Sequence, residues 1–414
     1  MPFVKYAELI DSYARGSSEK VIHHCCIRCG KESDDPTLNR CPECSGAMDA
    51  IYDLDHAAQT EWEDSPNPLL RYFPLIPVRD PKNVVWLGDG NSPCIQSHKL
   101  GAEIGLPGLF LKDESFNPTR STKDRIASMG ISRFGELGIR KLALASTGNS
   151  STSYGRAVQV VPGFEAHIFA GRAFVHRLNY GDHPRVKTYA IDGEFATAGN
   201  AAQRYAEENG LFSEGGFFSL SRREGLKLAY LEAFDAMPAA PDYVFQAVSS
   251  GMGLLGAYKG ALEYLKLGRL SELPRFMAMQ QASCAPMAHA YAEDSETIQD
   301  RHIVRNPKGP AYAILRGNPT PSYPYIRDVA KESGGDIRAV TTEEIEHAKD
   351  LLRTVEGIEV CHAAATAFAG VIAAVADGRV PSDANVLVNL TGGVRPHRPS
   401  PSQVIDFEIA EADL

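Results

Sequence analysis

From residue 84 to residue 390 the chain repeats one pattern. A short run of Val, Ile, Leu and Phe comes first, then a polar turn with glycine, then a segment of helical period. The runs are 84–87, 109–111, 141–145, 166–169, 187–191, 243–248, 276–280, 338–340 and 385–390. Helical periods lie at 123–137, 198–209, 225–236, 254–267, 343–355 and 364–376. A continuous apolar run suits a strand buried on both faces, and a helix after each strand returns the chain for a parallel neighbour. Nine runs exceed one comfortable sheet, so the pattern predicts α/β architecture with two parallel-sheet units. A hydrophobic share of 43% in 414 residues is enough to fill both cores.

The first 75 residues differ in texture. A short amphipathic helix, 6–14, leads into a cysteine-rich stretch, and a Pro-rich acidic passage, 64–81, follows it. Cys26 and Cys29 form one CxxC pair; Cys41 and Cys44 form another, eleven residues further on. Each pair can direct two thiolates to one point, and two pairs make a tetrahedral four-sulfur site for Zn²⁺. Four protein ligands close such a site, so the metal would be structural. The alternative is a reduced set of thiols without metal. Cys25, His23 and His24 adjoin the motif but fall outside its spacing.

Composition bears on partners. Lys+Arg numbers 42 against Asp+Glu 52, a net charge of -10. That balance argues against nucleic acid and against an anionic membrane surface. The N-terminus has no apolar core of signal-peptide length, and the longest apolar stretch, 363–376, is too short to span a bilayer. A cytoplasmic location is expected on these grounds.

In open parallel sheets, ligands bind beyond the carboxyl ends of the strands. Those positions are polar and rich in glycine here. Lys123 opens a helical run after a Pro-containing turn; a lysine near a positive helix end has a depressed pKa and can form a Schiff base, whereas a solvated loop lysine does neither. Ser249, Ser250, Gly251, Met252 and Gly253 link a strand to a helix and can cradle a phosphate, or simply make a tight turn. Ser146, Thr147, Gly148, Asn149 and Ser150 offer hydroxyls, an amide and bare backbone, suited to a carboxylate or a ring oxygen.

Taken together, these segments resemble the threonine synthase family, pyridoxal-phosphate enzymes of the tryptophan-synthase-β fold type. Gly88-Asp-Gly-Asn-Ser-Pro93 is similar to its GEGNTP, and Asn117-Pro-Thr-Arg-Ser-Thr-Lys-Asp-Arg125 to its NPTGSFKDR. Ser146 to Asn149 matches its STGN. Ser219, Arg222, Gly225 and Lys227 match NPxRxxGxK, Gly317-Asn-Pro319 matches IGNP, and Thr391-Gly392 matches TGxG. The resemblance implies fold type II: an N-terminal unit, 1–75; a large domain in two parts, 76–135 and 236–414; and a small α/β domain, 136–235. It also implies roles. Lys123 would hold pyridoxal 5'-phosphate as a Schiff base and move protons. Asn149 would bond the ring's phenolic oxygen, residues 249–253 the phosphate, and Thr391 the pyridine nitrogen. Ser146, Thr147 and Ser150 would bind the substrate carboxylate. Arg222 would bind a substrate phosphate, unless it is a surface charge paired with Glu224 or Glu232.

The departures cluster on the substrate side. Arg120 stands where the family has Gly, and Thr122 where it has Phe. Arg120 would touch a substrate or cofactor phosphate, or pair with Asp113 or Glu114. Cys361-His362-Ala363-Ala364 replaces EPAS, and Gly393-Val-Arg-Pro-His397 replaces HGLKD. The expectation is unchanged cofactor chemistry with a shifted substrate: elimination or replacement on an amino acid with a β- or γ-leaving group, phosphorylated in the nearest case. β-Replacement on O-phosphoserine, as in the cysteate synthase relatives, is one alternative. Serine or threonine dehydration and a non-catalytic binding protein are others. A homodimer is expected by the same resemblance.

Overall fold

The computed structural model describes residues 3–193, 195–395 and 399–413. Two parallel-sheet units are present, as the alternating pattern predicts. The larger sheet has six strands: β11 (Asp336–Val340), β10 (Arg275–Gln281), β9 (Tyr243–Ala247), β12 (Val386–Leu390), β4 (Leu109–Asp113) and β3 (Cys94–Gln96), side by side in that order. All neighbours pair in parallel except β3, which is antiparallel to β4 at the edge. The smaller sheet runs β13 (Val404–Asp406), β7 (Val186–Ile191), β6 (Glu165–Gly171), β5 (Lys141–Ala145) and β8 (Phe212–Ser213), all parallel. The sequence assigned residues 236–414 to the large unit. The strand Val404–Asp406 instead returns to the edge of the small sheet.

Both sheets are covered on both faces, which is why their strands read as continuous apolar runs. The helices Leu220–Ala236 and Met252–Lys266 pack on one face of the large sheet, and the apolar helix His362–Ala376 on the other. Two separate clusters fill the faces of the small sheet. The run 84–87 is not a strand. Two of its N–H groups go to serine hydroxyls of the Lys123–Glu136 helix, Val85 donating to Ser132 Oγ at 2.8 Å and Leu87 to Ser128 Oγ at 3.3 Å, and Val84 N–H donates to the Pro81 carbonyl at 3.1 Å. An apolar run whose backbone donors are met by side chains has no need of a sheet partner.

The N-terminal unit holds an antiparallel pair, β1 (Ile22–Cys26) and β2 (Met48–Tyr52). It is not a separate bead. Tyr6, Ile51, Tyr52 and Leu54 belong to the same core cluster as the large sheet's helices. Asp49 of β2 accepts from Arg223 Nε at 2.9 Å, and Tyr52 donates to Glu224 at 2.5 Å. Lys259 bonds Glu224, and Lys227 bridges Glu224 and Glu263 at 2.8 Å each. All these side chains are buried.

A second buried network lies closer to the strand ends. The Arg125 guanidinium donates to both oxygens of Glu114 at 2.6 and 2.7 Å, and to both oxygens of Glu232 at 2.8 and 2.7 Å. Lys112 adds a bond to Glu232 at 2.6 Å. The Lys123–Glu136 and Leu220–Ala236 helices can approach this closely because residue 225 is glycine. A Cβ there would lie 2.5 Å from the Arg125 carbonyl oxygen. Burial works to raise the Glu114 carboxyl, but the charge and bonds of Arg125 outweigh it and hold it at about 2.

Two consequences can be measured. Glu232→Ala leaves Lys112 and half of Arg125 without a counter-charge, and should lower stability by about 3–5 kcal/mol in chemical denaturation. The part contributed by Glu114 is fully present above pH ~4.5 and should be lost as pH falls through about 2, because its folded pKa lies below the unfolded one. An unchanged denaturation midpoint for Glu232→Ala would contradict the role of the network.

Candidate active site

The carboxyl ends of β5, β9 and β12 and the turn 121–123 converge on one cavity. It is lined by Lys123, Ser146, Thr147, Asn149, Ser150, Arg222, residues 249–253 and Thr391. Of the residues singled out in the sequence for substrate and cofactor, only Arg120 is not among its walls.

Lys123 is the first residue of the Lys123–Glu136 helix. The turn before it is fixed from two sides. Asp124 accepts from Thr119 N–H at 2.6 Å and Thr119 Oγ1 at 3.0 Å, while Thr122 N–H donates to the Thr391 carbonyl at 3.0 Å. Arg125, two residues on from Lys123, is locked in its carboxylate clamp. The amine therefore projects from a rigid support. Burial pushes its pKa down to about 8, and the charge of Arg222 adds to the effect. The sequence attributed the depression to the helix end; desolvation is the larger cause.

The loop 146–150 turns β5 into the Asn149–Val160 helix. Ser146 Oγ accepts from the N–H groups of Gly148 and Ser151, both at 3.2 Å, so its oxygen builds the turn and its hydroxyl proton is left to donate. Asn149 stands at the helix start. Residues 249–253 join β9 to the Met252–Lys266 helix, whose first-turn N–H groups have no partner within the helix. Gly251 has φ +80, a left-handed turn that glycine adopts without strain. An amine beside a turn with free N–H groups and two serines suits an aldehyde-bearing phosphate ester. The donor set thus fits pyridoxal phosphate: Lys123 for the aldehyde, residues 249–253 for the phosphate.

Arg222 is buried, with 3% exposure, and lies within the helix Leu220–Ala236 rather than before it. Neither Glu224 nor Glu232 is its partner. Its Nε and Nη2 both bond Glu214 at 2.6 Å, and Nη1 donates to Ser150 Oγ at 3.2 Å. The bidentate edge is thus occupied, and only the Nη1 side is left for a ligand. Gly225 and Lys227 of the same motif serve packing and the buried ion network.

Arg120 sits behind the cavity and pairs with neither Asp113 nor Glu114. Asp113 caps Ser115 N–H at 2.9 Å, and Glu114 is engaged by Arg125. Residues 396 and 397 of the departing segment lie outside the described residues. Arg316, Phe195, Gln246 and Cys361 also line the cavity and escaped the reading of roles. For Arg316 the signal was the adjacent Gly317-Asn-Pro319; Phe195 and Gln246 carry no local mark.

Far from this cavity, the Sγ atoms of Cys26, Cys29, Cys41 and Cys44 lie within 4.8 Å of one another. Cys26–Cys44 and Cys29–Cys41 separate by 3.5 and 3.7 Å. Sulfurs of a tetrahedral zinc site with Zn–S of about 2.3 Å stand about 3.8 Å apart, so the group could hold that ion. His23 and His24 face elsewhere, toward Glu32 and the Asp35 carbonyl.

Known proteins resemble this chain in sequence and in fold. The chain is 30% identical over 381 residues to the threonine synthase of Methanocaldococcus jannaschii, covering 89% of this chain and 91% of that protein. It is 27% identical over 382 residues to the cysteate synthase of Methanococcoides burtonii, covering 86% and 88%. Among solved structures, maize serine racemase superposes with a TM-score of 0.61 at 20% identity, over 74% of this chain and 90% of that one. Threonine deaminase isoform 2 from Solanum lycopersicum gives 0.59 at 16%, over 76% and 85%; these two likenesses concern the fold. The model of the family described as pyridoxal-phosphate dependent enzyme matches residues 85–392. The chain therefore belongs to the family of pyridoxal-phosphate dependent enzymes.

Proposed function

We propose that the protein is a synthase or lyase that acts on an amino acid with a β- or γ-leaving group, of which a phosphorylated one is the nearest case. The observation that carries this reading is the position of Lys123. Its amine opens on the same cavity as the 249–253 turn, and its pKa is brought down to about 8. Pyridoxal phosphate, when bound, supplies an electron sink for the charge left at the substrate's Cα. The chain's own groups do the rest. Lys123 takes the Cα proton and returns it. Asn149 orients the ring through its phenolic oxygen, and Thr391 meets the ring nitrogen with a neutral hydroxyl. Residues 249–253 hold the cofactor phosphate. Ser146, Thr147 and Ser150 receive the substrate carboxylate, and the Nη1 side of Arg222 adds positive potential beside Ser150.

β-Replacement on O-phosphoserine is a second reading. It is favoured by Arg120 and by the segment 361–364, which depart from the threonine synthase motifs on the substrate side. The two readings separate on incubation with O-phosphoserine and O-phosphohomoserine, following phosphate release with and without sulfite. Lys123→Ala should abolish release with either compound, together with the visible absorbance that borohydride bleaches in the wild type, while circular dichroism stays unchanged. Retained turnover in this variant would remove Lys123 from the mechanism.

The lysine's pKa gives a separate test. Only the neutral amine attacks an aldehyde. Uptake of pyridoxal phosphate by cofactor-free protein should therefore rise about tenfold per pH unit below 8 and level off above it. A rise that continues towards pH 10 would show an ordinary lysine.

We also propose that the four cysteines bind structural zinc. Cys26→Ser or Cys41→Ser should release one equivalent of metal and lower the thermal midpoint. A metal-free wild type of full stability would contradict this.

A further inference from the structure

Next to the Lys123 cavity is a second one, sharing Asn149, Ala313, Cys361 and Ala363 with it as a common wall. Its other walls carry Arg120, Arg177, Lys349 and Arg395. Among the described residues no carboxylate lines it, and none of the four cations forms an ion pair. Two cationic side chains are anchored by neutral groups alone. Arg177 Nη1 donates to the Thr147 carbonyl at 3.1 Å and Arg395 Nη1 to Thr152 Oγ1 at 2.9 Å, while Lys349 Nζ lies 3.5 Å from His362 Nε2, which is itself bonded to Glu346 at 2.8 Å. Arg120 Nε is buried without a hydrogen-bond partner.

The backbone adds an independent observation. Arg120 has φ +57, a left-handed conformation that a glycine adopts freely and an arginine does not. Strain of this kind persists where the surroundings hold it, and it clusters at ligand sites. Here the turn is held by Arg120 N–H donating to the Asn117 carbonyl at 2.7 Å and by Gly393 N–H donating to the Arg120 carbonyl at 3.0 Å. The position thus aims a guanidinium at the second cavity at a conformational disadvantage.

Like charges gathered without counter-ions repel. Burial pushes the Arg395 guanidinium down to about 10, with the Arg177 charge acting in the same direction. In the neighbouring cavity, by contrast, Arg222 is already neutralised by Glu214.

We propose that this second cavity binds a tetrahedral oxyanion that takes part in the reaction, of phosphate or sulfite-sulfate type, and so sets the substrate class. The proposal rests on the reading of the Lys123 cavity as the site of amino-acid chemistry. A substrate held by residues 146–150 needs only to extend past Asn149 and Cys361 to place a distal anion among the four cations. The same chemistry would serve an anionic co-substrate waiting to add. Bidentate and charge-assisted hydrogen bonds from arginines are the natural partners of such an anion.

The test is calorimetric titration of the cofactor-loaded protein with inorganic phosphate and with inorganic sulfate. The cofactor fills the 249–253 cradle, so that turn contributes no signal. Wild type should bind, and Arg120→Gln/Arg395→Gln should bind at least about tenfold more weakly, the scale of a lost charged hydrogen bond. Lys349→Gln, a half-buried helix-surface change, keeps the comparison if the double variant fails to fold; it should also weaken binding. No binding by wild type up to about 50 mM, or equal binding by wild type and variants, would overturn the proposal; that ceiling lies far above the range in which a preorganised anion site works.

Steady-state kinetics then separate the sources of the anion. A KM raised only for the phosphorylated amino acid places the substrate's own group in the cavity. A KM raised only for sulfite places the co-substrate there. If wild type takes up no pyridoxal phosphate, the proposed function fails. The anion titration still decides the cavity, because Arg120 and Arg395 line it and not the 249–253 turn, so the difference between wild type and the double variant reads this cavity alone.

Discussion

The four hydrogen bonds between Arg125 and the carboxylates of Glu114 and Glu232 hold together everything the site requires. Glu114 follows directly on β4, Arg125 is two residues from Lys123, and Glu232 lies in the helix that carries Arg222. One guanidinium thereby fixes three elements in register. Buried charges are expensive to desolvate, and such a clamp is worth having only when all donors and acceptors are met. Here Ser92, Lys112 and Asn117 meet those that remain. The gain is geometric: the lysine's support cannot tilt without breaking the clamp.

Charge is distributed around the active site with a clear division. The structural cations, Arg125, Arg223, Lys227 and Lys259, are matched by buried carboxylates. Towards the Lys123 cavity and beyond it the matching thins to the single Arg222–Glu214 pair. Arg316 is half-buried, and desolvation together with the charge of Arg222 brings its guanidinium down to about 10. Four more cations line the space behind Asn149. A chain with net charge -10 thus concentrates positive potential where its ligands enter, which focuses anions there.

Much of this was legible in the sequence because periodicity and turn chemistry are local. Strands such as Lys141–Ala145 and helices such as Lys123–Glu136 have the bounds their apolar spacing predicts, to within a residue or so. Lys123, the 249–253 turn and the serine loop could be found because each lies beyond the end of a strand. Long-range partnerships were not legible. Nothing near Arg222 marks Glu214 as its partner rather than Glu224, and nothing in 84–87 marks the serines that replace a sheet neighbour. The return of Val404–Asp406 to the small sheet escaped for the same reason: three residues at the end of the chain carry too little pattern. The anchoring of the N-terminal unit depends on Asp49, which reads as one acidic residue among many until Arg223 and Lys259 are brought to it.

That anchoring also sets a timetable for synthesis. Asp49 and Arg223 are 174 positions apart, and Val4 N–H finds its acceptor, Asp328, 324 positions later. At about 5–20 residues per second, roughly ten to thirty-five seconds pass between the emergence of Asp49 and that of Arg223. During that interval the apolar side of the first unit, with Tyr6, Ile51 and Tyr52, has no surface to close against. The earliest part of the nascent chain is therefore among the last to reach its final packing.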